Sequence, residues 1–179
     1  RMLFNFPSTN NGTNRNSPPN FVRKRRGDRS NARTSAALAV SGRDPRHKRP
    51  YVDILFNALK GGSGATHGYD GCDHIGLINC AGGILAQDPE MFELQTPNVI
   101  VKHEYLMDSA GAGRWRGGLG VETIIRFDGE NTKGVVFGDG IDAQTRAFGL
   151  FGGKTGSINA MEFEFPNGHR FRPQSKELI

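Results

Sequence analysis

Apolar and polar positions alternate most plainly in the second half of this chain. Between Asn98 and Met107, Val99, Val101, His103 and Tyr105 share one face and Ile100, Lys102, Glu104 and Leu106 the other, which predicts a strand. Both faces are partly apolar, so this strand is expected to be covered on two sides. The run Val121 to Phe127 is polar at Glu122 and Arg126, then turns at Asp128-Gly129 toward Gly134-Val135-Val136-Phe137. Met161 to Phe165 alternates cleanly, and Asn167-Gly168 ahead of His169-Arg170-Phe171-Arg172 predicts a tight hairpin. Glu162 and Glu164 are expected to pair across it with Arg170 and Arg172. Ile75 to Ala81 is too short for periodicity to separate a buried strand from a tight loop.

The first half is patterned differently. Thr34 to Val40 reads as a short helix ended by Ser41-Gly42. From Pro50 to Lys60, Tyr51, Ile54, Leu55 and Ala58 follow an i, i+3, i+4, i+7 spacing behind a proline, which predicts a helix with Gly61 just past its end. Residues 5–20 are rich in Asn, Ser, Thr and Pro, which bond to their own backbone and favour loops. The fold class expected is α+β, predominantly β. An antiparallel or mixed β-rich domain over residues 50–179 follows a basic, loop-rich arm over residues 1–49 and one or two short helices.

Charge sharpens this division. Residues 1–60 hold 13 Lys and Arg against 3 acids, a net +10, whereas residues 61–179 hold 10 against 15, a net −5. The arm can therefore lie along an acidic surface, its own or a partner's. The block Arg23-Lys24-Arg25-Arg26-Gly27-Asp28-Arg29 could grip phosphates, but Phe21 is the one aromatic near it, so nucleic acid is not the expected partner. A non-catalytic basic interaction or RNA-binding module stands as the alternative of a different class. Cys72 and Cys80 form neither a CxxC pair nor a disulfide framework, which fits reduced thiols in a cytoplasmic protein. No apolar run reaches about 18 residues, so no membrane span is expected.

Candidate chemistry gathers between Gly61 and His74, a stretch with 5 glycines in 14 residues. His67, Asp70, Asp73 and His74 offer two imidazoles and two carboxylates, an inventory for a divalent ion or for acid–base work, with turn chemistry as the competing reading. Asp70, Asp73 and His74 are the catalytic candidates; metal ligands are unknown and no cofactor-binding residue is assigned. Asp108 to Gly120 places Arg114, Trp115 and Arg116 among five glycines. That is either an anion site built from the arginines or a crossing only small residues can pass, with Trp115 in the core and the arginines pairing with acids. Gly117 and Gly118 are candidates for positive φ. Gly149-Leu150-Phe151-Gly152-Gly153-Lys154-Thr155 does not make a phosphate loop, because its first glycine comes one residue late and a strand-like segment follows. Gly62-x-Gly64 fails as a dinucleotide fingerprint, since His67 stands where the third glycine belongs.

The order Gly-Gly-Ser-Gly-Ala (61–65), Asp-Gly-Cys-Asp (70–73), Asp-Ser-Ala-Gly-Ala-Gly-Arg-Trp-Arg-Gly-Gly-Leu-Gly-Val (108–121) and Phe-Gly-Leu-Phe-Gly-Gly-Lys-Thr-Gly (148–156) resembles the carboxy-terminal part of the hydantoinase B family. That family includes hydantoinase and 5-oxoprolinase B components and the large subunits of acetone carboxylases. Phe137-Gly138-Asp139-Gly140-Ile141-Asp142 and the Asn-rich start look most like the acetone carboxylase large (alpha) subunit. The resemblance implies an ATP-dependent carboxylase subunit, a ligase that joins ketone and bicarbonate to give a β-keto acid through phosphorylated intermediates. The alternative enzyme is an ATP-dependent hydantoinase or 5-oxoprolinase that hydrolyses a cyclic amide. It implies ATP on a hydantoinase A-type partner subunit, a further small subunit in a hetero-oligomer, and Mn²⁺ held elsewhere in the full subunit. The residues that carry over are Gly61, Gly62, Gly64, Gly111, Gly113, Gly117, Gly118 and Gly120 with Asp70, Asp73, Arg114 and Arg116, read as structural positions or positions supporting a site. The chain is then expected to be a fragment of a larger subunit, inactive alone.

Overall fold

A computed structural model describes residues 2–6 (as backbone), 36–55, 61–75, 87–138, 144 and 147–179. Eight strands and one short helix are defined there: β1 (Met2–Phe6), β2 (Ala36–Asp44), β3 (Arg49–Ile54), α1 (Pro89–Gln95), β4 (Asn98–Tyr105), β5 (Val121–Phe127), β6 (Glu130–Gly138), β7 (Ala160–Glu164) and β8 (Arg170–Phe171). The fold is α+β and predominantly β, as the alternation predicts. One five-stranded sheet has the order β4-β5-β1-β7-β8 and one three-stranded sheet the order β3-β2-β6, with every pairing antiparallel. The C-terminal residues extend the smaller sheet, since Gly134 and Ile179 exchange N–H···O bonds of 2.9 and 2.8 Å.

In the first half, the described parts of both expected helices are strands. Ala36-Ala37-Leu38-Ala39-Val40 has helical propensity, but pairing on both sides, with β3 and with β6, overrides it. Leu38 and Val40 then point into the core, and Gly134 on β6 leaves room for Leu38, whose Cδ1 would stand 2.9 Å from a Cβ there. At 50–55 the misleading signal is the four-residue spacing of Tyr51 and Leu55, which suits two strand periods as well as one helical turn. Burial decides for the strand: Tyr51 and Leu55 are buried while Val52 is 79% and Ile54 44% exposed. Residues 56–60, the rest of that expected helix, lie outside the described residues, as do the basic block 23–29 and most of 75–81. The β2–β3 hairpin spans the expected boundary between arm (1–49) and domain (50–179).

The helix that does form follows the signature Asp88-Pro89-Glu90. Asp88 caps it by accepting the Glu90 and Met91 N–H groups at 2.9 and 3.2 Å, and Pro89 occupies the first turn, where no N–H is needed. Phe92 on its inner face joins Leu38, Val40, Tyr51, Leu55, Ile125, Val136 and Met161 in one core between the sheets. Arg46, from the β2–β3 turn, serves the helix's C-terminal end by donating to the Glu93 carbonyl at 2.7 Å and to that of Thr96. It also grips the buried Asp44 carboxylate through Nε and Nη2 at 3.1 and 3.0 Å. The Arg46 hydrogen bonds hold that carboxyl well down, from 3.8 to about 2.

The hairpin at Asn167-Gly168 forms as expected, with Gly168 at φ 79° and the register Phe163↔Phe171 and Glu164↔Arg170. Its cross-strand charges meet, Arg172 to Glu162 at 3.0 Å and Arg170 to Glu164 at 3.2 Å. β4 departs from expectation. It is an edge strand with Val101 and Tyr105 about half exposed and a bulge between Ile100 and Lys102, so it is not covered on two sides. Among the described residues no helix is long and apolar enough to cross a membrane.

Candidate functional site

Two glycine loops meet beside the far end of β4. The first, residues 61–75, closes on itself: Gly61 and Ile75 exchange N–H···O bonds of 3.1 and 2.7 Å, and Ser63 N–H donates to Cys72 O at 2.8 Å. Thr66 and Tyr69 pair across its tip, where Gly68 takes φ 95°. Gly61 therefore begins a loop ladder. The second loop, residues 106–120, is closed by Leu106 N–H on Gly120 O at 2.9 Å. Inside it the buried Ser109 hydroxyl donates to Leu106 O at 2.7 Å and accepts from Gly120 N–H at 2.8 Å.

The loops cross in near backbone contact. Gly118 N–H donates to Ser63 O at 3.1 Å and Gly71 N–H to Arg116 O at 2.8 Å. A Cβ on Gly62 would lie 2.1 Å from Gly118 O, and one on Gly118 2.0 Å from Cys72 O. These glycines are needed for close approach. Among the described residues the positive-φ glycines are Gly68, Gly152 and Gly168, so positive φ is not the reason at Gly117 and Gly118.

The candidate residues separate into two groups. Asp70 accepts from Arg116 N–H at 2.8 Å and faces the Arg116 guanidinium at 3.7 Å. Asp73 accepts the Leu119 N–H. Both carboxylates thus tie the first loop to the second. The rings of His67 and Trp115 form an edge-to-face pair with centres 4.7 Å apart, and the Arg114 guanidinium lies over the indole, 4.6 Å from the ring centre. Trp115 is half-buried and not in the core, and Arg114 and Arg116 are engaged with the indole and Asp70. His74 meets a residue the motif reading did not nominate. Its Nε2 lies 3.2 Å from His103 Nε2, and His103 Nδ1 lies 2.8 Å from the hydroxyl of Thr123, which is fully buried.

His103 and Thr123 are register partners on β4 and β5, so the sheet itself sets their contact. The signal for His103 was its place as the lone polar side chain on the Val99, Val101, Tyr105 face. His74 sits at φ 50°, a conformation rare outside glycine, held from both sides by the Asp73–Leu119 and Ile75–Gly61 bonds. Among the described residues no three His, Cys, Asp or Glu side chains come together to hold a metal ion. The carboxylates a Mn²⁺ ion would want are spent on backbone amides and Arg116, so the 67–74 set does not fit that ion.

The third motif, 148–156, forms a loop without a helix, and Lys154 donates its backbone N–H to Ala112 O at 2.8 Å, which braces the second glycine loop. Two sheets over one core, with glycine loops crossing at their edge, define a β-rich unit whose residues 23–178 match a model of the Hydantoinase B/oxoprolinase family. The chain belongs to that family. It is 30% identical over 107 residues to the caprolactamase beta subunit of Pseudomonas jessenii, covering 59% of this chain and 18% of that protein. To the 5-oxoprolinase PfmaA of Pestalotiopsis fici it is 32% identical over 94 residues, covering 52% of this chain and 7% of that protein. A nucleotide-free structure of acetone carboxylase, from work on ATP-dependent acetone carboxylation, superposes with TM-score 0.61 and 26% identity over 70% of this chain and 16% of its own. The chain thus spans less than a fifth of the length of each.

Proposed function

We propose that this chain is part of the large subunit of an ATP-dependent ketone carboxylase. The observation that carries this reading is the likeness to acetone carboxylase, which extends over 70% of the chain. In this reading ketone and bicarbonate are activated by phosphorylation and joined, ATP lies on a hydantoinase A-type partner, and the glycine loops form one wall of the assembly. Asp70 and Asp73 act by holding the loops together. His74, whose ring meets a second imidazole, is the one of the three suited to acid–base work. A second reading, ATP-dependent hydrolysis of a cyclic amide, is favoured by the two sequence relatives, whose names are caprolactamase and 5-oxoprolinase.

The test is to purify the full-length protein with its co-purifying subunits and measure ATP consumption with acetone plus bicarbonate, with caprolactam and with 5-oxoproline. Bicarbonate-dependent turnover of a ketone supports the first reading. Turnover of a lactam without bicarbonate replaces it with the second.

A further inference from the structure

The geometry points to a transition-metal site on the imidazole pair His74 and His103, of the kind that takes a borderline divalent ion such as Zn²⁺, Co²⁺ or Ni²⁺. Two nitrogen ligands held at 2.0–2.1 Å from one ion stand about 3.0 Å apart at a right angle and about 3.4 Å apart at the tetrahedral angle. The observed Nε2–Nε2 separation, 3.2 Å, falls between them. The ring centres are 5.1 Å apart, close to the roughly 5.2 Å that tetrahedral ligation gives.

The surroundings suit ligation as well. A metal-bound Nε2 requires the proton on Nδ1, and His103 Nδ1 has the Thr123 hydroxyl at 2.8 Å to receive it. Thr123 is buried and fixed by its strand, so the ring cannot rotate without leaving that hydroxyl unpaired. His74 takes its place at φ 50° between two flanking hydrogen bonds, Leu119 N–H to Asp73 and Ile75 N–H to Gly61 O. No third His, Cys, Asp or Glu joins the pair among the described residues. Two neutral imidazoles leave the ion's charge uncompensated and its other positions open, so the site would take water or the oxygen atoms of an anionic ligand such as a carboxylate or phosphate. This inference does not depend on whether the reaction is carboxylation or amide hydrolysis.

The test uses the full-length protein in its complex, stripped with chelator and titrated with Co²⁺ alone, following the visible absorption and the equivalents bound. His74→Asn is the informative variant, because Asn is among the few residues that tolerate φ near 50°. His103→Asn keeps an amide near the Nδ1 position to bond Thr123. Each should lower the Co²⁺ bound by one equivalent per chain, or weaken that equivalent about tenfold or more. Each should also abolish the matching rise in melting temperature with Zn²⁺, whereas His67→Asn should retain both. Equal stoichiometry and affinity in the His74 and His103 variants and the parent would overturn the assignment. Should both variants misfold, pulsed electron paramagnetic resonance of Cu²⁺ on the parent protein decides instead: coupling to two imidazoles is required, and its absence sinks the site.

Discussion

Replacing Gly118 by alanine tests the loop crossing with the smallest available change. The new methyl carbon would stand 2.0 Å from Cys72 O, 2.5 Å from Cys72 C and 3.0 Å from Asp73 N, all backbone atoms that no rotamer change can move. Restoring ordinary contact at 3.4 Å means parting the loops by about 1.4 Å. That displacement breaks or strains the Gly118–Ser63 and Gly71–Arg116 backbone bonds and the Leu119 N–H bond to Asp73. At about 0.5–1.5 kcal/mol net for each bond, the loss is about 2–4 kcal/mol. Gly68→Ala is the control. Gly68 has φ 95° with nothing within 4 Å of a Cβ, so alanine there costs about 1 kcal/mol in backbone strain and disturbs no partner. Urea unfolding of the protein should move the midpoint of Gly118→Ala down by about 1–2 M for a slope near 2 kcal/mol/M. Amide exchange at Ser63 and Gly118 should accelerate before that of β5. If Gly118→Ala costs no more than Gly68→Ala, the crossing is not what holds these loops.

Other outcomes follow from the same geometry. Asp73→Ala leaves the Leu119 N–H without its acceptor and should cost about 1–3 kcal/mol, while Asp73→Asn, which keeps an oxygen, should cost less than about 1 kcal/mol; equal losses by thermal denaturation would show that charge matters more than the cap. The Asp44 carboxyl is held down to about 2, so it releases its proton more readily folded than unfolded, and its contribution to stability is complete above the ordinary value near 3.8. That contribution fades as pH falls from about 4 toward 2, and the urea midpoint of Asp44→Asn should therefore vary less across this window than that of the parent. Leu38→Ala empties a site that Gly134 was needed to fit and should cost about 2–5 kcal/mol by urea denaturation, without altering exchange in the glycine loops. Glu162→Gln should cost at most about 1 kcal/mol, since Arg170 and Arg172 are both largely exposed; a larger loss in a double-mutant cycle with Arg172 would contradict the weak-pair reading.

What the sequence disclosed of the fold was the part in which local pattern and tertiary pairing agree. β5, β7 and the Asn167-Gly168 hairpin read directly because alternation, turn chemistry and charge complementarity all say the same thing there. β2 and β3 were illegible because alanines and a four-residue apolar spacing do not distinguish helix from strand, and only the neighbours Val52 and Ile54, apolar yet exposed, carry the difference. α1 had a legible start in Asp88-Pro89-Glu90, but its seven residues hold too little periodicity to announce a helix. β4 alternates as a covered strand would, and its position at the sheet edge is a property of strand order, which no local pattern encodes.

The glycine loops show the same limit at the level of chemistry. Spacing alone put His67, Asp70, Asp73 and His74 together, yet hydrogen bonding parts them, because a carboxylate next to unpaired backbone N–H groups is better satisfied by those amides than by a distant imidazole. His74 finds its partner 29 residues away, on a strand whose register with β5 also supplies the buried hydroxyl behind it. A loop motif can nominate such a histidine, but the second imidazole comes from the sheet. The crossing glycines are the link between the two: by letting the first loop lie on the second at backbone distance, Gly62, Gly71 and Gly118 bring residue 74 within reach of residue 103. A side chain at any of the three would lift the first loop and separate the imidazoles, so the loss of stability in Gly118→Ala should be accompanied by loss of whatever the histidine pair binds.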